Sequence, residues 1–99
     1  EEFDEVISES GEKLVVVDFH ANWCGPCKMI GPKVEAMAND FPNAVFVKVD
    51  VDENEETAED CEVEAMPTFQ LYKNGEKVDQ MTGANADKLK ELIEKHYTS

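Results

Sequence analysis

The chain has 99 residues, 32% of them charged and 41% hydrophobic, with a formal net charge of −14. That length suits one domain with a single core over residues 1–99, and the balance of charge and apolarity excludes a disordered chain. So acidic a chain is a poor partner for nucleic acid, which needs Lys and Arg against its phosphates. No apolar run is long enough to cross a bilayer.

The acidity is compatible with long-range steering of basic partners and, more simply, with the solubility of a small protein. Three cysteines leave one unpaired by count and do not describe a secreted disulfide framework. A reducing compartment, the cytoplasm, is expected. No secretory leader pattern is present, although a start at Glu1 rather than Met leaves a removed upstream segment open.

Phe3, Val6 and Ile7 have helical spacing and Gly11 is a natural stop, which predicts a helix over Phe3–Glu9. The apolar run Leu14–His20 predicts a strand buried on both faces. From Cys24 to Asp40, apolar residues recur at three and four positions (Cys27, Ile30, Val34, Met37), with Phe41 closing the series. This is a long helix that Pro32 should kink. Ala44–Val51 predicts a second buried strand, and Asn54–Cys61 a short acidic surface helix. Thr68–Tyr72 and Lys77–Thr82 are strands around Asn74-Gly75, a strong hairpin signal. Ala86–Tyr97 predicts a closing helix with Leu89, Leu92, Ile93 and His96 on its inner face. The expected architecture is α/β, with a mixed central sheet of about four strands flanked by helices.

The chemistry-bearing stretch is Trp23-Cys24-Gly25-Pro26-Cys27-Lys28. Two cysteines three apart at a helix start lie on nearly one face, with Cβ atoms about 5–6 Å apart. A disulfide needs about 3.5–4.5 Å, so a small local adjustment opens or closes it. So short a loop constrains the unfolded chain little, which favours reactivity over stapling. Cys24, in the first turn, has unsatisfied N–H groups and the helix dipole to favour a thiolate, and is the expected accessible nucleophile. Cys27 follows one turn later as the more buried resolving thiol. A zinc site would need a second pair of ligands, and Cys61, His20 and His96 form none. Cys61 sits among Glu59, Asp60, Glu62 and Glu64, which disfavour its thiolate. It reads as a half-buried small residue, with regulatory oxidation as the alternative. His20 precedes the active turn and is near enough in sequence to touch it, with a solvated or core-satisfied imidazole as the plainer reading.

An apolar strand, then WCGPCK, with Asp18 six residues upstream of Cys24, Pro32 in the helix, Met66-Pro67-Thr68 and Gly83 downstream, resembles the thioredoxin family over nearly the whole chain. The resemblance implies a three-layer sandwich and a protein-disulfide reductase, a redox carrier in electron transport and cell redox homeostasis. It works through a redox-active Cys24–Cys27 disulfide, with no bound cofactor or metal. Electrons would come from NADPH through thioredoxin reductase. No GxGxxG for a nucleotide occurs in this chain. Disulfide-containing proteins would be the substrates of a monomer or weak dimer. The alternative is a binding module of the same fold, redox-gated or redox-independent.

The resemblance also assigns roles. Asp18, within Val15-Val16-Val17-Asp18-Phe19, becomes the proton acceptor for Cys27, its carboxyl raised by burial. Lys48 is its candidate charge partner, against the plainer reading of an outward-facing lysine. Met66-Pro67 becomes a cis turn that leaves the Met66 backbone free for an extended substrate. Trp23, Met66, Pro67 and the Gly83-Ala84 turn form an apolar rim. Gly25-Pro26 offers no cation to stabilise the reduced pair, unlike the histidine that related isomerases carry at the position of Pro26. Pro26→His is therefore expected to raise the reduction potential in a glutathione titration, and an unchanged potential would contradict this. A short strand that usually precedes the first helix in this family is missing from the sequence. An exposed edge on Ala44–Val51, with lower stability or self-association, is expected.

Overall fold

The side chains of one strand, Val15–His20 (β1), serve two cores at once, because successive residues of a strand point to opposite faces. The structure, a computed structural model, describes residues 2–97. After a helix Glu2–Glu9 (α1), β1 leads into Gly25–Asp40 (α2), Val45–Asp50 (β2) and Glu55–Asp60 (α3). Thr68–Lys73 (β3), Glu76–Thr82 (β4) and Ala86–Tyr97 (α4) complete the described chain. The side chain of Phe3, expected to face inward from α1, lies outside the described residues.

The sheet order is β2-β1-β3-β4, with β1 parallel to β2 and antiparallel to β3. Val16 and Leu14 join Ile30 and Val34 of α2, Phe69 and Leu71 of β3, and Leu89 and Ile93 of α4 in one core. Val15, Val17 and Phe19 meet Ile7 of α1 on the other face, backed by Val63 beyond α3. Helices on both faces of a mixed sheet make the expected three layers. Each fully buried Leu, Ile or Phe contributes about 1.5–3 kcal/mol.

Two local features follow from backbone chemistry. Asn74 and Gly75 have φ of 55° and 81°, the left-handed pair that a tight hairpin turn requires. α2 runs through Pro32 as a single 16-residue helix. At its far end, α4 is tied to the sheet by His96, whose Nε2 lies 3.0 Å from Asp79 Oδ2 on β4. That hydrogen bond holds the Asp79 carboxyl below the usual carboxylate range.

The expected buried character of the second strand is corrected. In β2 only Val49 is buried, and Lys48 is exposed. The strand ends the sheet, with β1 as its one strand neighbour among the described residues, so water reaches its flank. No helix among the described residues is long and apolar enough to cross a membrane.

Candidate active site

β1 delivers the chain to a tight turn in which Cys24 N–H donates to the Ala21 carbonyl at 3.1 Å. Cys24 then caps α2 from an extended conformation, φ −88° and ψ 105°, and its Sγ accepts the Cys27 N–H at 3.1 Å. A helix start leaves its first N–H groups without intrahelical partners, and here one of them is aimed at sulfur. Pro26 sits in the same first turn, where the missing N–H costs nothing. Cys24 and Cys27 form a disulfide with Cα atoms 5.3 Å apart, within the ordinary range for such a bond.

Burial runs against expectation. Cys24 is 4% exposed and Cys27 8%, so both residues are buried in this oxidised form and Cys27 is not the more buried of the two. Both pack with Ala21, against Met66 and Val51. The spacing of the cysteines could not show this, because Met66 arrives from a distant part of the chain. Gly25 and Pro26 stay exposed above the pair.

Of the expected rim residues, Met66 packs against the cysteine pair. Trp23 is 67% exposed, and its indole Nε1 donates to Asp52 Oδ2 at 2.9 Å, in the loop after β2. The Met66–Pro67 bond is cis, and Thr68 begins β3 directly after it. Gly83 N–H donates to the Pro67 carbonyl at 2.9 Å, fastening the two loops together. Gly83 has φ of 110°, a conformation that a side chain would strain. Ala84 is half-buried against the core between α2 and α4.

Below the disulfide, Asp18 is 5% exposed and its Oδ1 has no hydrogen-bond partner among the described residues. Burial pushes its carboxyl above the usual carboxylate range, against smaller downward pulls from His20 and Lys48. Lys48 lies opposite Asp18 in the parallel register, yet its ion pair is with Glu35 of α2, at 3.4 Å. The charge partner proposed for Asp18 therefore acts on it through the field alone. Asp18, His20, Cys27, Lys28, Glu35 and Lys48 border a groove of about 280 Å³.

Sequence reasoning missed Asp52 and Gln70. A solvent-facing indole N–H seeks an acceptor, but nothing local singles out Asp52 from the acidic run around it. Gln70 is fully buried, its Nε2 donating to the Cys61 carbonyl and to Gln80 Oε1, each at 2.9 Å. It pins the segment that leads to Met66. Cys61 is half-buried as expected, with Sγ 3.9 Å from Tyr72 Oη. Among the described residues, no group of three or more His, Cys, Asp and Glu is arranged to hold a metal.

The family model described as Thioredoxin matches residues 1–95. The thioredoxin of Ophiophagus hannah is 52% identical over 95 residues, 96% of this chain and 90% of that protein. That of Equus caballus is 53% identical over 91 residues, 92% of this chain and 87% of that protein. The crystal structure of Fasciola hepatica thioredoxin superposes with a TM-score of 0.93 at 52% identity, covering 95% of this chain and 90% of that one. The family match over residues 1–95 and relatives at about half identity, together with the helix-capped cysteine pair of this chain, identify it as a member of the thioredoxin family, a thiol–disulfide oxidoreductase that reduces protein disulfides.

Proposed function

We propose that Cys24 is the attacking thiol, Cys27 the resolving thiol and Asp18 the group that accepts the Cys27 proton. In the dithiol form, the Cys24 thiolate attacks one sulfur of a substrate disulfide, and the other substrate sulfur leaves and takes up a proton. Cys27 Sγ–H then gives its proton to Asp18, and the new thiolate attacks Cys24 Sγ. The Cys24–Cys27 bond forms as the bond from Cys24 to substrate breaks, and the second substrate sulfur leaves as a thiolate. Two electrons have passed from the pair to the substrate.

The observation that carries this reading is the Cys27 N–H held 3.1 Å from Cys24 Sγ. A donor already directed at that sulfur, at a positive helix end, favours its ionised form once the disulfide opens. Met66, packed against the cysteine pair, borders the path by which a substrate reaches it. Methionine, with three rotatable bonds, adapts readily to what it packs against. Trp23, Met66, Pro67, Gly83 and Ala84 receive an extended substrate segment along the Met66 backbone, which has no strand partner of its own. Gly25, Pro26 and Lys48 shape the site. The chain works as one domain in the cytoplasm, as a monomer or weak dimer. It is regenerated by thioredoxin reductase with electrons from NADPH.

The test is insulin reduction with a recycling dithiol. Wild-type protein is expected to turn over many equivalents, and the Cys24→Ser, Cys27→Ser variant none above background. Wild-type protein without turnover, together with partner binding undiminished in the double variant, would make this a binding module instead.

A further inference from the structure

His20 ends β1 two residues beyond Asp18, so both side chains leave the strand on one face. Both border the groove that reaches Cys27. The charged groups around them are Lys28 and Glu35 from α2 and Lys48 from β2, with Asp50 as the register neighbour of His20. On the other side, β3 sets Phe69 and Thr68 beside Asp18 and Phe19, and neither is charged. With Oδ1 of Asp18 buried and unpartnered, its ionised form depends on the surrounding field rather than on contact. Lys48 is ion-paired to Glu35, whose charge offsets its own. Of the two neighbours that pull the Asp18 carboxyl down against burial, His20 has the larger effect.

We propose that His20 is a positioning residue for the resolving step, its imidazolium holding Asp18 ionised in the groove and so setting the lowest pH at which Cys27 gives up its proton. The inference rests on Asp18 being the proton acceptor. Proton and electron flow are those of the resolving step above. His20 gains and loses nothing in it and acts on Asp18 alone. Imidazole changes charge across physiological pH, so the base in the groove answers to acidity through a second group. A positive charge on the same strand face favours the ionised form of the Asp18 carboxyl.

The experiment compares wild type, His20→Gln, His20→Lys, Asp18→Asn and the His20→Gln, Asp18→Asn double variant, each pre-reduced. Single-turnover reduction of insulin is followed against pH, and the Asp18 carboxyl carbon is titrated by NMR wherever Asp18 is present. In His20→Gln, both the acid limb of the rate and the Asp18 midpoint should move up by about half to one pH unit. Rates then fall about three- to tenfold on the acid side and are unchanged above the limb. His20→Lys should keep the limb at or below its wild-type position, and in the Asp18→Asn background His20→Gln should change nothing. If Asp18→Asn alters the profile but His20→Gln leaves the Asp18 midpoint in place, the inference about His20 is wrong and the acceptor role stands. If Asp18→Asn leaves the profile as in wild type, the acceptor role falls, and the inference with it.

Discussion

Cys27→Ser is expected to stop the reaction halfway, leaving Cys24 covalently attached to its substrate. Cys24 keeps its place at the cap of α2 in this variant, and the backbone N–H that donates to its Sγ is untouched by a change of side chain. The first exchange is therefore preserved. The second fails, since a hydroxyl does not displace a sulfur from a disulfide under these conditions. Steady-state turnover with insulin should fall by about a thousandfold or more, the scale seen when one member of a covalent mechanism is removed. Mass spectrometry should find the adduct at a single site. Cys24→Ser should lose turnover to the same degree and yield no adduct, since the first-turn N–H that favours a thiolate donates to Cys24 Sγ. Adduct on Cys27 in that variant would reverse the assigned roles. Equal adduct in both would remove the distinction.

Asp18→Leu is expected to make the protein more stable at pH 8 and slower as a reductase. A carboxylate buried without a hydrogen-bond partner for Oδ1 is an uncompensated charge, which is why its carboxyl titrates above the usual range. The sign follows from linkage. A carboxyl with a folded value above its unfolded value favours the folded state fully below the unfolded value, and this contribution is lost as pH rises through the folded one. The advantage of Asp18→Leu over wild type should thus be smallest under acid conditions. It should grow from the ordinary carboxylate range upward and level off once Asp18 is ionised. Replacing a buried charge by an apolar side chain of similar size stabilises by about 1–4 kcal/mol in favourable cases. Denaturant melts of oxidised protein at pH 4 and pH 8 measure it. A stability gain that does not differ between the two would show that Asp18 is not the group responsible. Slower resolution should accompany the gain, read as a mixed disulfide that persists longer than in wild type.

Position along the chain conveyed some of this site and concealed the rest. Asp18 could be placed in a buried strand because five apolar neighbours surround it in Val15-Val16-Val17-Asp18-Phe19 and Leu14. That its Oδ1 has no hydrogen-bond partner could not, since Lys48 stands opposite it in register and yet extends to Glu35 on α2. A long flexible lysine finds whichever carboxylate leaves it most hydrated, and Glu35 is the exposed one. The place of His20 just before the active turn pointed toward the site, but a lone imidazole at a strand end is ordinarily solvated. Only the groove that brings it beside Asp18 and Cys27 makes it notable.

By itself the amino-acid sequence determined what depends on near neighbours. Helical spacing from Cys27 to Phe41 set the face of α2, Asn74-Gly75 set the hairpin, and a first-turn position set the hydrogen bond from Cys27 N–H to Cys24 Sγ. Tertiary structure alone decided what depends on distant segments meeting. The Met66 loop packed against the cysteine pair, Gly83 bonded Pro67, Asp52 accepted from Trp23, and β2 came to bury Val49 alone. The division has one physical reason: capping, turns and periodicity are local interactions a few residues long, whereas solvent exposure and electrostatic field are sums over everything the fold brings near.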